Sequence, residues 1–114
     1  MLVEEVMTTE LVTCDVDATV RDAAELMLRN RVGSVVVADG GTPAGILTES
    51  DVLHAGYVTD DPLSEIPVRK AASAPLVTVR PSATLRTATE RMRSEGVKKL
   101  VVVDGVTPEG IVTT

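Results

Sequence analysis

Apolar positions along this 114-residue chain recur with two periods. Val20, Ala23, Ala24 and Met27 return every three or four residues with Arg, Asp and Glu between them, which predicts a helix with one buried stripe. Leu85, Ala88 and Met92 repeat that spacing further on. Elsewhere the apolar residues run unbroken. "VGSVVVAD" and "VKKLVVVD" are β-branched stretches ended by Asp-Gly, which predicts strands covered on both faces and closed by a turn. Shorter strand-like pieces, "LVTCDV" and "LVTV", precede the helices. Others, "AGILT" and "EGIVT", follow a "GTP" or "VTP" turn and are expected to pair antiparallel with the β-branched run. Thr19 and Thr84 stand where helices open, and Asp22, three residues after Thr19, makes an acidic capping box. "ESDVLHAGY" reads as a further helix with Val52, Leu53 and Ala55 placed for packing.

These elements occur twice. Residues 11–49 align without a gap on residues 76–114 at an offset of 65, with 19 of the 39 pairs identical. The chain is therefore a duplicated module, with repeats at residues 1–60 and 61–114. Its order of elements is β-α-β-β-α in the first copy; the second stops after "GIVTT", before a final helix. The likeness extends weakly upstream, where "VEEVMTTE" faces "VRKAASAP". "YVTDDPLSEIP", polar and with two prolines, reads as the linker. The fold class expected is α/β in the broad sense, an α+β pair of repeats related by a pseudo-twofold.

Composition narrows the function. No run approaches the eighteen or so apolar residues of a membrane span, and the N-terminus does not read as a signal peptide, so a cytoplasmic location is expected. Cys14 is the single cysteine and His54 the single histidine, which leaves no metal-ligand cluster to write. With one aromatic residue, Tyr57, and a net charge of −6, the chain is poorly equipped for nucleic acid. The charge is uneven: residues 1–65 hold thirteen acids and three bases, residues 66–114 four acids and eight bases. Ser50 has no base near it, and no arrangement of nucleophile, base and orienting group is visible, so catalysis is not expected.

The candidate chemistry lies in "GILTESD", residues 45–51. Gly45 permits close approach to the backbone, Ile46 offers an apolar wall, and Thr48 and Asp51 stand at the mouth of the next helix. Free N–H groups and the positive end of the helix dipole there attract phosphate, a threonine hydroxyl can donate to it, and a carboxylate accepts from vicinal ribose hydroxyls. Thr48-x-x-Asp51 is equally an acidic capping box that needs no ligand.

The succession "VMTTELVT", "ATVRDAAELM", "VVVAD", "GILTESD", given twice, resembles the tandem cystathionine-β-synthase (CBS) domain, or Bateman module, over nearly the whole chain. The resemblance implies a regulatory sensor, without an obligatory cofactor, that binds an adenosine-containing molecule such as AMP, ADP, ATP or S-adenosylmethionine in clefts between the repeats. It also implies a homodimer and, for some members, an effector protein. Carried onto this sequence, the cleft walls are Val12, Thr13 and Cys14 with Val32, Gly33 and Ser34 in the first copy. In the second they are Val77, Thr78 and Val79 with Val97, Lys98 and Lys99, and Thr113 takes the place of Thr48. No aspartate follows Thr113, so the ribose grip does not transfer. Lys98, Lys99, Arg69 and Lys70 would favour polyphosphate on that side. Cys14 would lie near the adenine edge. A head-to-tail dimer setting the acidic half against the basic half is expected to weaken with salt. The rival reading is a structural module that only dimerises or docks, its cleft unfilled.

Overall fold

The computed structural model describes residues 1–72 and 76–113. The repeats are units of sequence; the compact units in space are Val12–Pro75, and Met1–Leu11 together with Leu76–Thr114.

In the Val12–Pro75 unit, β1 (Thr13–Asp15), α1 (Val20–Asn30), β2 (Ser34–Asp39), β3 (Thr42–Thr48) and α2 (Glu49–Val58) are followed by a 3-10 turn (Leu63–Glu65) and α3 (Val68–Ala71). The sheet order is β1-β2-β3. β1 runs parallel to β2 through the α1 crossover, and β2 and β3 form an antiparallel hairpin. The capping box expected at α1 is present: Asp22 N–H donates to Thr19 Oγ1 at 3.1 Å, and Thr19 N–H donates to Asp22 Oδ2 at 3.0 Å. At the other end of α1, Arg31 adopts a left-handed conformation (φ 55°). The hairpin turns on Gly40 and Gly41, both at positive φ.

One face of this sheet, Cys14, Val35, Val37 and Leu47, packs on Ala23 and Met27 of α1 and on Val68 of α3. The opposite face carries Thr13, Ser34, Val36, Ile46 and Thr48 in register, and Val36 and Ile46 are buried there as well. β2 is thus covered on both sides, as its unbroken apolar run implies.

The second unit has β4 (Thr78–Val79), α4 (Leu85–Glu95), β5 (Lys99–Asp104) and β6 (Thr107–Thr113) in sheet order β4-β5-β6, with the same parallel and antiparallel pairings. It is completed by the N-terminal segment, which forms a 3-10 turn at Val3–Glu5. Val3 is fully buried among Val79, Met92, Leu100, Val102 and Val112, and its N–H donates to the Ala83 carbonyl at 2.8 Å. Val68, its counterpart at the offset of 65, does the same in the other unit, donating to the Ala18 carbonyl at 2.9 Å. Each leading segment therefore closes the core of the other repeat's sheet. Thr8 pairs with Ile111 on β6, and an added Cβ on Gly110 would stand 2.7 Å from the Thr8 carbonyl oxygen and 2.8 Å from Met7 Sδ. Glycine is required by that close approach.

Three details depart from the sequence reading. β3 and β6 begin at Thr42 and Thr107, so the "TP" pairs lie inside the strands; Pro43 and Pro108 face Ala38 and Val103, where the register shifts. The presumed linker is partly structural: Ile66 is buried against Val20 and Ala55, and accepts the Val20 N–H at 2.8 Å. Leu53, expected to pack, is 74% exposed; α2 packs through Ala55 and the half-buried Val52.

Candidate functional site at one end of the first sheet

Parallel β1 and β2 begin at the same end of their sheet, and antiparallel β3 finishes there. That topology brings Val12 and Thr13, Val32, Gly33 and Ser34, and Ile46 and Thr48 to one end. Ser34 lies opposite Thr48, and Val36 lies between Thr13 and Ile46. The Val36 N–H donates to the Val12 carbonyl at 2.9 Å, and the Glu49 N–H donates to the Gly33 carbonyl at 3.2 Å, which fastens the start of α2 to the start of β2. Ser34 is the buried polar residue here, 8% exposed.

Thr48 and Asp51 meet at this point, and they meet as a capping box. The Thr48 N–H donates to Asp51 Oδ2 at 2.8 Å, the Thr48 hydroxyl donates to the same oxygen at 3.0 Å, and the Asp51 N–H donates to Thr48 Oγ1 at 3.2 Å. Both side chains are half-buried. The helix-capping reading of this motif is therefore realised in full, and a ligand held here shares the atoms that cap α2.

The remaining candidates are distributed as follows. Cys14 faces away from Thr13 into the core, where burial first, then the charges of Asp15 and Asp22, push its thiol pKa up; it is a protonated core residue at neutral pH. Arg69 is ion-paired with Asp17, and its Nε donates to the Val16 carbonyl at 3.4 Å, so it braces the Val12–Pro75 unit instead of joining the second copy's lysines. Lys70 lines a cavity of about 320 Å³ with Asp51, His54, Glu65 and Ile66. Val32 and Gly33 border a groove of about 530 Å³ between α1 and α2, where Leu28 is 82% exposed beside Leu53, Arg31 and Glu49. In the second unit, Val77 and Val97 pack against the core, Val79 is buried within it, and Thr78 lies opposite Val101. Lys99 lies opposite Thr113 at the corresponding sheet end, with Lys98 exposed beside it. Thr114 lies outside the described residues.

Sequence reading missed one feature, a cavity of about 740 Å³ in the second unit that includes Arg80 and Arg91. The signal for it was in the repeat alignment, at pairs that differ. Among the described residues, no group of three or more His, Cys, Asp or Glu is placed to hold a metal, and no helix is long and apolar enough to cross a membrane.

The CBS domain profile matches residues 3–57 and again 63–114. The chain belongs to the CBS domain family. A CBS domain-containing protein of Bacillus subtilis, YhcV, is 32% identical over 96% of this chain and 78% of its own length. A homoserine O-acetyltransferase of Methanocorpusculum labreanum is 30% identical over 91% of this CBS pair, which corresponds to 20% of that enzyme. Among solved structures, the CBS domain protein PAE2072 of Pyrobaculum aerophilum, in complex with AMP, superposes with a TM-score of 0.85 at 26% identity, covering 99% of this chain and 87% of that one.

Proposed function

We infer that this CBS pair is a regulatory module that senses an adenosine-containing small molecule. Thr48 and Asp51 take the ribose and phosphate, Ile46, Val12 and Val32 supply apolar walls, and Gly33, Ser34 and Thr13 supply close backbone and hydroxyl contacts. The supporting observation is the convergence of Ser34, Thr48 and Asp51 at one end of the sheet, with Glu49 fastened to Gly33. The AMP complex of the Pyrobaculum relative supports an adenine nucleotide as the ligand class. The module controls rather than catalyses, and the long acetyltransferase relative is consistent with such a piece attached to an enzyme.

Thermal-shift and calorimetric titration with AMP, ADP, ATP and S-adenosylmethionine tests this, since a ligand that binds only the folded state raises Tm. Asp51→Asn keeps an acceptor for the Thr48 N–H but removes the charge, and is expected to weaken the bound nucleotide about tenfold or more. No response to any of the four, or an unchanged Kd in Asp51→Asn, overturns the reading.

The structural alternative has its own observation, the apolar groove between α1 and α2 with Leu28 and Leu53 exposed. The occupant proposed for it is a second copy of this chain. Arg31 and Glu49 border the groove together, so a two-fold pairing can set the cation of one copy against the carboxylate of the other.

A further inference from the structure

We propose that the second repeat carries an anion site of its own, at the opposite end of its sheet from Lys99 and Thr113, which binds the phosphate group of a small metabolite through Arg80 and Arg91. The cavity of about 740 Å³ opens beyond the carboxyl ends of the parallel strands β4 and β5, the end at which open α/β sheets receive ligands. Arg80 directly follows β4, Ser82 lies in the loop to α4, and Thr87 and Arg91 are one turn apart on the same face of α4. All four line the cavity, as does Asp104.

Among the described residues neither guanidinium is in an ion pair; the two pairs present are Arg29 with Glu25 and Arg69 with Asp17. The fold does not demand cations here. At the offset of 65 the first repeat has Asp15 for Arg80, Asp17 for Ser82, Asp22 for Thr87 and Leu26 for Arg91, while Asp39 matches Asp104. At these aligned positions the β-α corner therefore has four carboxylates in one repeat, with Asp17 paired to Arg69, and two guanidiniums, two hydroxyls and one carboxylate in the other. Thr19 and Thr84 cap α1 and α4 alike, each hydroxyl accepting the N–H of the residue three further on; Asp22 adds a reciprocal bond from the Thr19 N–H, and Thr87 accepts the Thr84 hydroxyl instead, so the helix is capped in both repeats. What the exchange changes is the ligand charge the corner attracts. Arginine forks match phosphate oxygens in pairs, the hydroxyls of Ser82 and Thr87 can donate further bonds, and Asp104 can accept from a hydroxyl of the same ligand.

The test is calorimetric titration of the whole chain at low ionic strength with inorganic phosphate, pyrophosphate and ribose 5-phosphate. Saturable binding with one site per chain is expected. Arg80→Asp combined with Arg91→Leu installs the first repeat's residues and is expected to weaken binding at least tenfold, with AMP affinity unchanged. Arg80→Lys with Arg91→Lys retains the charge and is expected to lose less, since only the fork is removed. A sugar phosphate that binds more tightly than inorganic phosphate identifies an ester as the ligand; equal affinities identify the free ion. Absence of saturable binding, or equal affinity in the Asp/Leu variant with circular dichroism unchanged, overturns the site. Loss of binding in Asp51→Asn but not in the Asp/Leu variant also overturns it, by placing the phosphate at the nucleotide end of the other unit.

Discussion

Thr8 and Ile111 exchange both backbone hydrogen bonds, each N–H reaching the other's carbonyl at 2.9 Å. Beside them Gly110 has no room for a side chain, because a Cβ there would stand 2.7 Å from the Thr8 carbonyl oxygen. Gly110→Ala is expected to displace the N-terminal segment and lower stability by about 1–3 kcal/mol, the usual cost of overpacking. Urea unfolding measures it. An unchanged midpoint would show that residues 7–8 yield without cost.

Arg31 holds a left-handed conformation that its counterpart, Gly96, adopts freely. A non-glycine residue there costs about 1–2 kcal/mol. Part of that is offset by the greater freedom glycine gives the unfolded chain. Arg31→Gly is therefore expected to stabilise the protein by about 0.5–1 kcal/mol in the same urea experiment.

The backbone hydrogen bond from Thr19, then the side-chain bond with Thr19, and lastly the charge of Arg21 hold the Asp22 carboxyl below its usual range, burial opposing them slightly. A depressed folded-state pKa contributes stability above the unfolded value, about 3.9, and that contribution disappears as pH falls through the folded value. The Tm difference between the native chain and Asp22→Asn is expected to be present at pH 7 and to shrink as the pH falls below the unfolded value. A difference independent of pH would remove the charge from the explanation.

Leu28→Glu with Leu53→Glu places like charges in the α1–α2 groove. Light scattering is expected to show a dimer for the native chain and a monomer for the double variant, with the fold retained, since both leucines are exposed. A dimer that survives the change uses another face.

Much of the fold was legible because local pattern and the offset of 65 agreed. The α1 and α4 stripes, the capping threonines and the two-sided burial of β2 all follow from residues a few positions apart. The destination of each leading segment was not legible. Val3 and Val68 are isolated valines in the weakest part of the alignment, and nothing local states which sheet an isolated apolar residue will close. Arg69 reads as one member of a basic cluster until folding places it beside Asp17, 52 residues away. The Thr48–Asp51 motif was legible in position but ambiguous in role, since a cap and a ribose grip need the same two groups at the same spacing.

The crossed arrangement of leading segments fixes an order of assembly during synthesis. Residues 12–75 are contiguous and can close on themselves once translated. Residues 1–11 leave the ribosome earlier, yet their hydrogen-bonding partners on β6 are made only after residues 12–75. The core around Val3 therefore cannot close until β4, α4, β5 and β6 have been made.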